Sequence, residues 1–351
     1  MNSLSEANTH FAVDLFHQFK KSNKDNIFYS PLSISSALAM TYSGAQGNTA
    51  LQIGKVEKSR NVHHQFQKLL TELKKPTNDY ELNIANRLYG EKNVESADFI
   101  KAPEESLKKI NSWVESQTNG KIKDLFPPGS LSSAILVLVN AVYFKGHWQW
   151  KFDKKNTVEE KFWLNKDTSK SVQMMKQTSS FKFTELEDVQ AKILEIPYTG
   201  KDLSMVLLLP NEVDGLKKLE DKLTAEKLIE WTSSQNMRET LVDLYLPRFK
   251  VEESYDLKDT MKSMGMLDAF SQQDADFSGM TGSRGLVVSK ILHKSFVEVT
   301  EEGTEAAAAT GISLELSSPL IYSFHCDHPF LFFIKHNKTN SILFLGRVSS
   351  P

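Results

Sequence analysis

One run of residues limits the architecture more than any other: "ILVLVNAVYF", Ile135 to Phe144. A strand wet on one face alternates apolar and polar residues, and this one does not. It reads instead as a strand buried on both faces, which needs structure stacked above and below it. More strands follow, in "AKILEIPY", "LSMVLLLP", "TLVDLYLPRFKVEE", "KSFVEVTEE", "HPFLFFIKH" and "SILFLGRV", with helices such as "SYDLKDTMKSMGML" between them. The first third has helical spacing: Phe11, Leu15, Phe16 and Phe19 share a face, and so do Val62, Phe66, Leu69, Leu70 and Leu73. Ser30-Pro31 opens a buried helix ending near Gly44, and Pro103 opens another that Asn119-Gly120 stops. Helices first, then many strands, predict an α+β protein with large sheets. Nothing resembles a linker, so residues 1–351 are expected to form one domain.

Several function classes are disfavoured by composition. A net charge of −2, with basic pairs scattered among acids, gives no electrostatic case for nucleic acid or an anionic membrane. The longest apolar runs are too short to span a bilayer. Cys326 is the only cysteine, so no intramolecular disulfide can form, which suits a reducing compartment. The N-terminus carries no secretory pattern. The expected setting is the cytoplasm, with a non-classical route as the way out if the protein is released. Without a secretory route the sequon at Asn337 would stay unmodified.

The usual catalytic signatures are absent. There is no G-x-S-x-G, no complete P-loop and no H-E-x-x-H. The most metal-like cluster is "FHCDH", with His325, Cys326, Asp327 and His328. Alternate strand residues face opposite sides, so the four cannot converge on one ion. The better reading is a strand end with a buried Cys and exposed histidines. His63 and His64 point about 100° apart on a helix and read as surface residues. No metal, no cofactor and no enzymatic activity are expected.

One segment stands out. "EEGTEAAAATG", Glu301 to Gly311, has strong local helix preference, yet β-rich sequence follows it. On composition alone it would be an ordinary exposed helix. Six stretches elsewhere change that reading. These are "NIFYSPLSISSALAMTYSGAQGNTALQI", "INSWVESQTNGKI", "LVNAVYFKGHWQWKF", "LPRFKVEESYDLKDTMKSMGM", "LHKSFVEVTEEGTEAAAAT" and "HPFLFFIKHNKTNSILFLGRV". In this order they resemble the serpin family along essentially the whole chain. The start and the short tail look like its intracellular, ovalbumin-type branch, and most like the squamous cell carcinoma antigens.

The resemblance implies the serpin fold, helices plus three β-sheets, with an exposed reactive-centre loop at about 301–323. It implies a suicide inhibitor of proteases: the loop is cut, then inserts as a new strand of the main sheet. Gly303, Thr304, Glu305, Ala306, Ala307, Ala308, Ala309 and Thr310 would be the hinge. At period two, Thr304, Ala306, Ala308, Thr310 and Ile312 share one face, which is small and uncharged; Glu305 falls on the other. The family's loop register, counted from Gly303, puts the reactive bond at Ser317-Ser318, with Leu316-Ser317 as the alternative. Leu314 and Leu316 would set specificity. The first bond suits cathepsin L-like cysteine proteases, the second chymotrypsin- or cathepsin G-like serine proteases. Ser33, Ser36, Asn140 and His293 match the family's "shutter", and Trp148 its "breach". Their bland alternative is hydrogen-bonded core. A monomer is expected.

Two stretches depart from the family. It usually has more loop between "ALQIGKV" and "NVHHQF", near 56–62, and a whole helix between "RLYGEK" and "NVESADF", near 92–94. The chain is roughly forty residues short of the usual length. If the strands flanking the second gap are parallel, a direct joint cannot connect them. A non-inhibitory or substrate-like binding protein is therefore the alternative function.

Overall fold

The computed structural model describes residues 3–57, 63–90, 95–302 and 320–351. Its first third is helical: α1 (Ser3–Ser22), a short strand β1 (Ile27–Tyr29), α2 (Pro31–Gly44), α3 (Gly47–Glu57) and α4 (His63–Leu73). Ser30 caps α2, its Oγ accepting from the Ser33 amide at 3.2 Å, and Pro31 pre-sets the first turn. α2 is buried nearly all round, as its small and apolar residues allow. Phe11, Leu15, Phe16 and Phe19 of α1 are buried, as are Phe66, Leu69, Leu70 and Leu73 of α4. Val62 lies outside the described residues, and His64 is exposed.

The chain continues through β2 (Tyr80–Gly90), β3 (Glu95–Ser96), α5 (Pro103–Gln117) and β4 (Leu136–Gly146). Past α5, Asn119 and Gly120 take φ of 53° and 76°, the left-handed turn expected there. Next come β5 (Val158–Trp163), β6 (Ser169–Leu186), β7 (Ala191–Pro197), β8 (Leu203–Pro210), α6 (Leu216–Lys222), α7 (Ala225–Trp231), β9 (Arg238–Pro247) and β10 (Phe249–Asp256). Last are α8 (Lys258–Ser263), α9 (Ser278–Thr281), β11 (Val288–Val299), β12 (Tyr322–His325), β13 (Phe330–His336) and β14 (Ser341–Val348).

β4 is the doubly buried strand that "ILVLVNAVYF" predicts. Val137, Val139, Ala141 and Tyr143 pack with Leu107, Ile110 and Val114 of α5. Leu136, Leu138, Val142 and Phe144 face the opposite layer. Each buried Val, Leu or Phe among them contributes about 1.5–3 kcal/mol by leaving water. β4 sits inside a five-strand sheet of order β10-β11-β4-β2-β3. The remaining strands hydrogen-bond continuously as β1-β14-β13-β8-β7-β6-β9-β12, with β5 also on β6. The long strand β6 serves two sheets: it pairs with β9 over Met174–Phe183 and with β7 over Lys182–Leu186. The architecture is thus helices with three sheets, two of them sharing one strand.

Some local expectations are corrected. "TLVDLYLPRFKVEE" is two strands, β9 and β10, in different sheets, parted at Arg248. "SYDLKDTMKSMGML" is helical only over Lys258–Ser263, because Ser254 to Asp256 pair with β11. His328 is not exposed. It is buried, with Nε2 2.6 Å from the Pro210 carbonyl and Nδ1 2.8 Å from Asp327. The joint near 92–94 does link parallel strands: Tyr89 pairs with Glu95 and Gly90 with Ser96. A parallel neighbour normally needs a crossover of a dozen or more residues. Here the described pairing is confined to two residues of β3.

Candidate functional site

The site is a seam. β4 and β11 lie side by side in parallel, paired from Leu136↔Val288 to Lys145↔Glu298. The candidate loop leaves from the end of β11.

Beneath the seam runs a buried polar chain. Asn140 Nδ2 donates to Ser33 Oγ at 2.8 Å. Asn140 Oδ1 lies 2.7 Å from Nδ1 of His293, and the Ser30 amide donates to His293 Nε2 at 3.0 Å. An Nε2 that accepts must be unprotonated, so the imidazole is neutral with its proton on Nδ1. Burial does the same thermodynamically, pushing the His293 pKa down to about 3. Asn140 on β4 and His293 on β11 are direct register partners, so this bond crosses the seam. Ser36, also buried, sits one turn further along α2 and outside the Ser33–Asn140–His293 chain. Ser295, next but one along β11, donates to the Phe28 carbonyl at 2.8 Å and ties β11 to β1.

On the other face, Tyr143 of β4 donates to the Glu298 carboxylate of β11. Burial and that bond push the phenol far above its usual range. Burial would raise Glu298 in turn, but its bonds with Tyr143 and Lys250 hold it below the ordinary carboxylate value.

At the end of β11 the polypeptide is clamped before it departs. Trp148, buried and stacked on Tyr198 at 4.6 Å, donates through Nε1 to the Thr300 carbonyl at 2.8 Å. Its amide donates to the Glu302 carbonyl at 3.0 Å, and the Phe152 amide to the Glu301 carbonyl at 3.0 Å. Arg248 grips the Glu301 carboxylate with two bonds of 2.7 Å. Lys145 lies 3.0 Å from Glu302, and its hydrogen bond lowers the pKa of that carboxyl.

Ser33, Asn140 and His293 are therefore brought together, while Trp148 stands apart at the loop's root. Sequence reasoning missed Ser30, Tyr143, Arg248 and the two acids, Glu301 and Glu302. Arg248 carried no signal, because β propensity runs unbroken across it and only the sheet topology makes it a junction. Gly303 to Thr310, Leu314, Leu316, Ser317 and Ser318 lie outside the described residues.

Comparison with known proteins supplies the context for this seam. A family described as Serpin (serine protease inhibitor) matches residues 6–351. Human Serpin B3 is 64% identical, the match covering all of both chains. It spans 391 aligned positions against 351 residues, which leaves 40 positions without a counterpart here. Horse leukocyte elastase inhibitor is 48% identical, again over all of both chains. Among solved structures, uncleaved ovalbumin superposes with a TM-score of 0.94 at 38% identity, covering all of both chains. A cleaved, loop-inserted ovalbumin mutant gives 0.88 at 36% identity, also over both whole chains.

Proposed function

The chain belongs to the serpin family, and from that premise we propose that it traps proteases as a suicide substrate. The carrying observation is the β4–β11 pairing, with the loop leaving from the end of β11. A protease cuts the loop at Ser317-Ser318, or at Leu316-Ser317, and is held as the acyl-enzyme. The freed hinge, Gly303 to Thr310, then enters between β4 and β11. Entry exchanges one seam of backbone hydrogen bonds for two. At roughly 1 kcal/mol net per bond, about ten residues release on the order of 10 kcal/mol. That is comparable with the whole stability of a typical domain, enough to drag and distort the attached protease.

Ser33, Asn140 and His293 hold the seam shut, with Ser36 beside them, and Trp148 holds the loop's root. Leu314 and Leu316 select the target. It is a papain-like cysteine protease of the cathepsin L kind, a chymotrypsin- or cathepsin G-like serine protease, or both. The likeness to leukocyte elastase inhibitor supports the serine class, and a Leu one residue before the first bond supports the cysteine class. The protein would act as a single-domain cytoplasmic monomer without a cofactor.

The test is to mix the protein with cathepsin L and with chymotrypsin, then separate on denaturing gels. A covalent complex with either supports inhibition. Complete cleavage with no complex would refute it.

A second reading has its own observation. Serpin B3 has 40 aligned positions without a counterpart here, and β3, beyond β2 at the edge of the five-strand sheet, is only two residues long. A sheet that yields too slowly would make the protein a substrate of its target, and a binding protein in function. In that case cleavage outruns trapping in the same experiment.

A further inference from the structure

Asn140 and His293 close the seam on the face toward α2. The face toward α5 has a tie of its own. Tyr143 of β4 stands directly opposite Phe296 of β11, and Lys145 opposite Glu298. The Tyr143 hydroxyl reaches diagonally past Phe296 to the Glu298 carboxylate, so this bond also crosses the seam. Glu298 turns its other oxygen to Lys250 of β10, 3.1 Å away. One carboxylate thereby joins three adjacent strands. The phenol ring is held from two sides. It meets Phe296 edge to face at 5.2 Å between centroids, and Lys121 of the turn after α5 places Nζ 5.1 Å from its centroid.

Packing alone does not account for the hydroxyl. Tyr143 is wholly buried, and a Phe would fill the same space against Phe296 and Lys121. Tyr29 and Tyr80 give their hydroxyl protons to backbone carbonyls, those of Ala12 and Leu73. Tyr143 gives its proton to an ion on the neighbouring strand, a bond about twice as strong as a neutral one. The Glu298 side chain is only 15% exposed, so water replaces little of what that bond supplies. A strand entering between β4 and β11 would move the two side chains about 4.8 Å further apart, beyond any hydrogen bond. The bond must therefore break before the seam can admit a strand.

We propose that Tyr143 is a positioning residue for the inhibitory step: through Glu298 it latches the α5 face of the seam and sets how readily β4 and β11 part. Asn140 and His293 do the same from the α2 face, so opening requires release on both. The part in inhibition rests on the suicide-substrate reading; the latch itself does not.

The test is hydrogen exchange at the β4 and β11 amides, read by mass spectrometry on the full chain without protease. It compares the parent, Tyr143→Phe, Glu298→Gln, the double variant and Tyr80→Phe. Tyr80→Phe loses a hydroxyl bond on β2, on the side of β4 away from β11, so it controls for a general loss of stability. Losing a hydrogen bond to a charged group shifts an opening equilibrium about tenfold. Tyr143→Phe is expected to speed exchange along the seam about tenfold, and Tyr80→Phe to leave it unchanged. Glu298→Gln keeps an acceptor but loses the charge, so its rise should be smaller. Adding it to Tyr143→Phe should change nothing further, because the two side chains act through one bond. Seam exchange in Tyr143→Phe equal to the parent's or to that of Tyr80→Phe would overturn the latch, and so would additive effects in the double variant. If Tyr143→Phe fails to fold, Glu298→Gln against Tyr80→Phe decides by the same comparison. With a protease that the parent traps, Tyr143→Phe should not raise the stoichiometry of inhibition, since an easier seam favours insertion over release. A rise would remove Tyr143 from the inhibitory step. If the parent traps neither cathepsin L nor chymotrypsin, the inhibitor reading fails and the exchange result still decides the latch.

Discussion

Arg248 holds Glu301 through two hydrogen bonds of 2.7 Å, joining the start of β10 to the root of the loop beyond β11. Glu301 is 2% exposed, whereas the Arg248 side chain is 43% exposed. The pair is buried at one end only. Reversing the buried end leaves two cations facing each other with one of them dry. Losing a partner in a fully buried pair costs about 3–5 kcal/mol, and solvent at Arg248 reduces that to about 2–3. Glu301→Lys should lower the thermal midpoint by a few degrees and promote association on mild heating. A variant with unchanged midpoint and solution size would remove this pair from the account of how the seam stays closed.

The His293 imidazole makes stability depend on pH. Its folded pKa, about 3, lies below the ordinary value of 6.5, because burial disfavours the charged ring. The unfolded chain therefore binds a proton that the native state refuses. The contribution is complete above about pH 6.5 and is lost as pH falls from there toward 3. At pH 5 this group should account for about 2 kcal/mol less stability than at pH 7.5. Urea midpoints at the two pH values test it. His293→Gln should be less stable at pH 7.5, having lost seam bonds, but show a flatter decline. An unchanged slope would mean that other groups carry the acid sensitivity.

Thr304 bears on insertion itself. Under the proposed insertion, Thr304→Arg would place a charge on the face that would enter the sheet, where an unpaired ion costs several kcal/mol. The variant should be cut at the parent's rate yet form few covalent complexes, with stoichiometry rising severalfold. Full-yield complexes would show that this position does not enter.

Cleavage should also stabilise the body. If about ten residues join the five-strand sheet, roughly 10 kcal/mol is gained. With an unfolding entropy near 2.1 cal/mol/K per residue, the thermal midpoint should rise by about 10–15 °C after the loop is cut. Calorimetry before and after limited proteolysis reads this directly, whether or not any protease is trapped. No rise would mean that the cut loop stays outside.

The fold was largely legible along the chain because its strongest signals are local. The run in β4, the Phe11–Phe19 stripe of α1 and the Ser30-Pro31 start of α2 each state their own burial. The break at Arg248 was not legible, because β propensity continues across it while the two halves join different sheets. His328 was misjudged for a similar reason. Its burial depends on the Pro210 carbonyl, 118 residues away.

By itself, then, the sequence determined the α+β class, the doubly buried central strand, the family and the small-faced segment that could become a strand. These follow from periodicity, residue size and ordered motifs, all carried by neighbours in the chain. Only the tertiary structure decided which strands meet and what locks them. The meeting of β4 with β11, the Asn140–His293 bond across them and the Arg248–Glu301 clamp join residues tens to hundreds of positions apart. Such contacts depend on packing, which supplies the burial that keeps His293 neutral and Glu301 dry, and no local pattern encodes it.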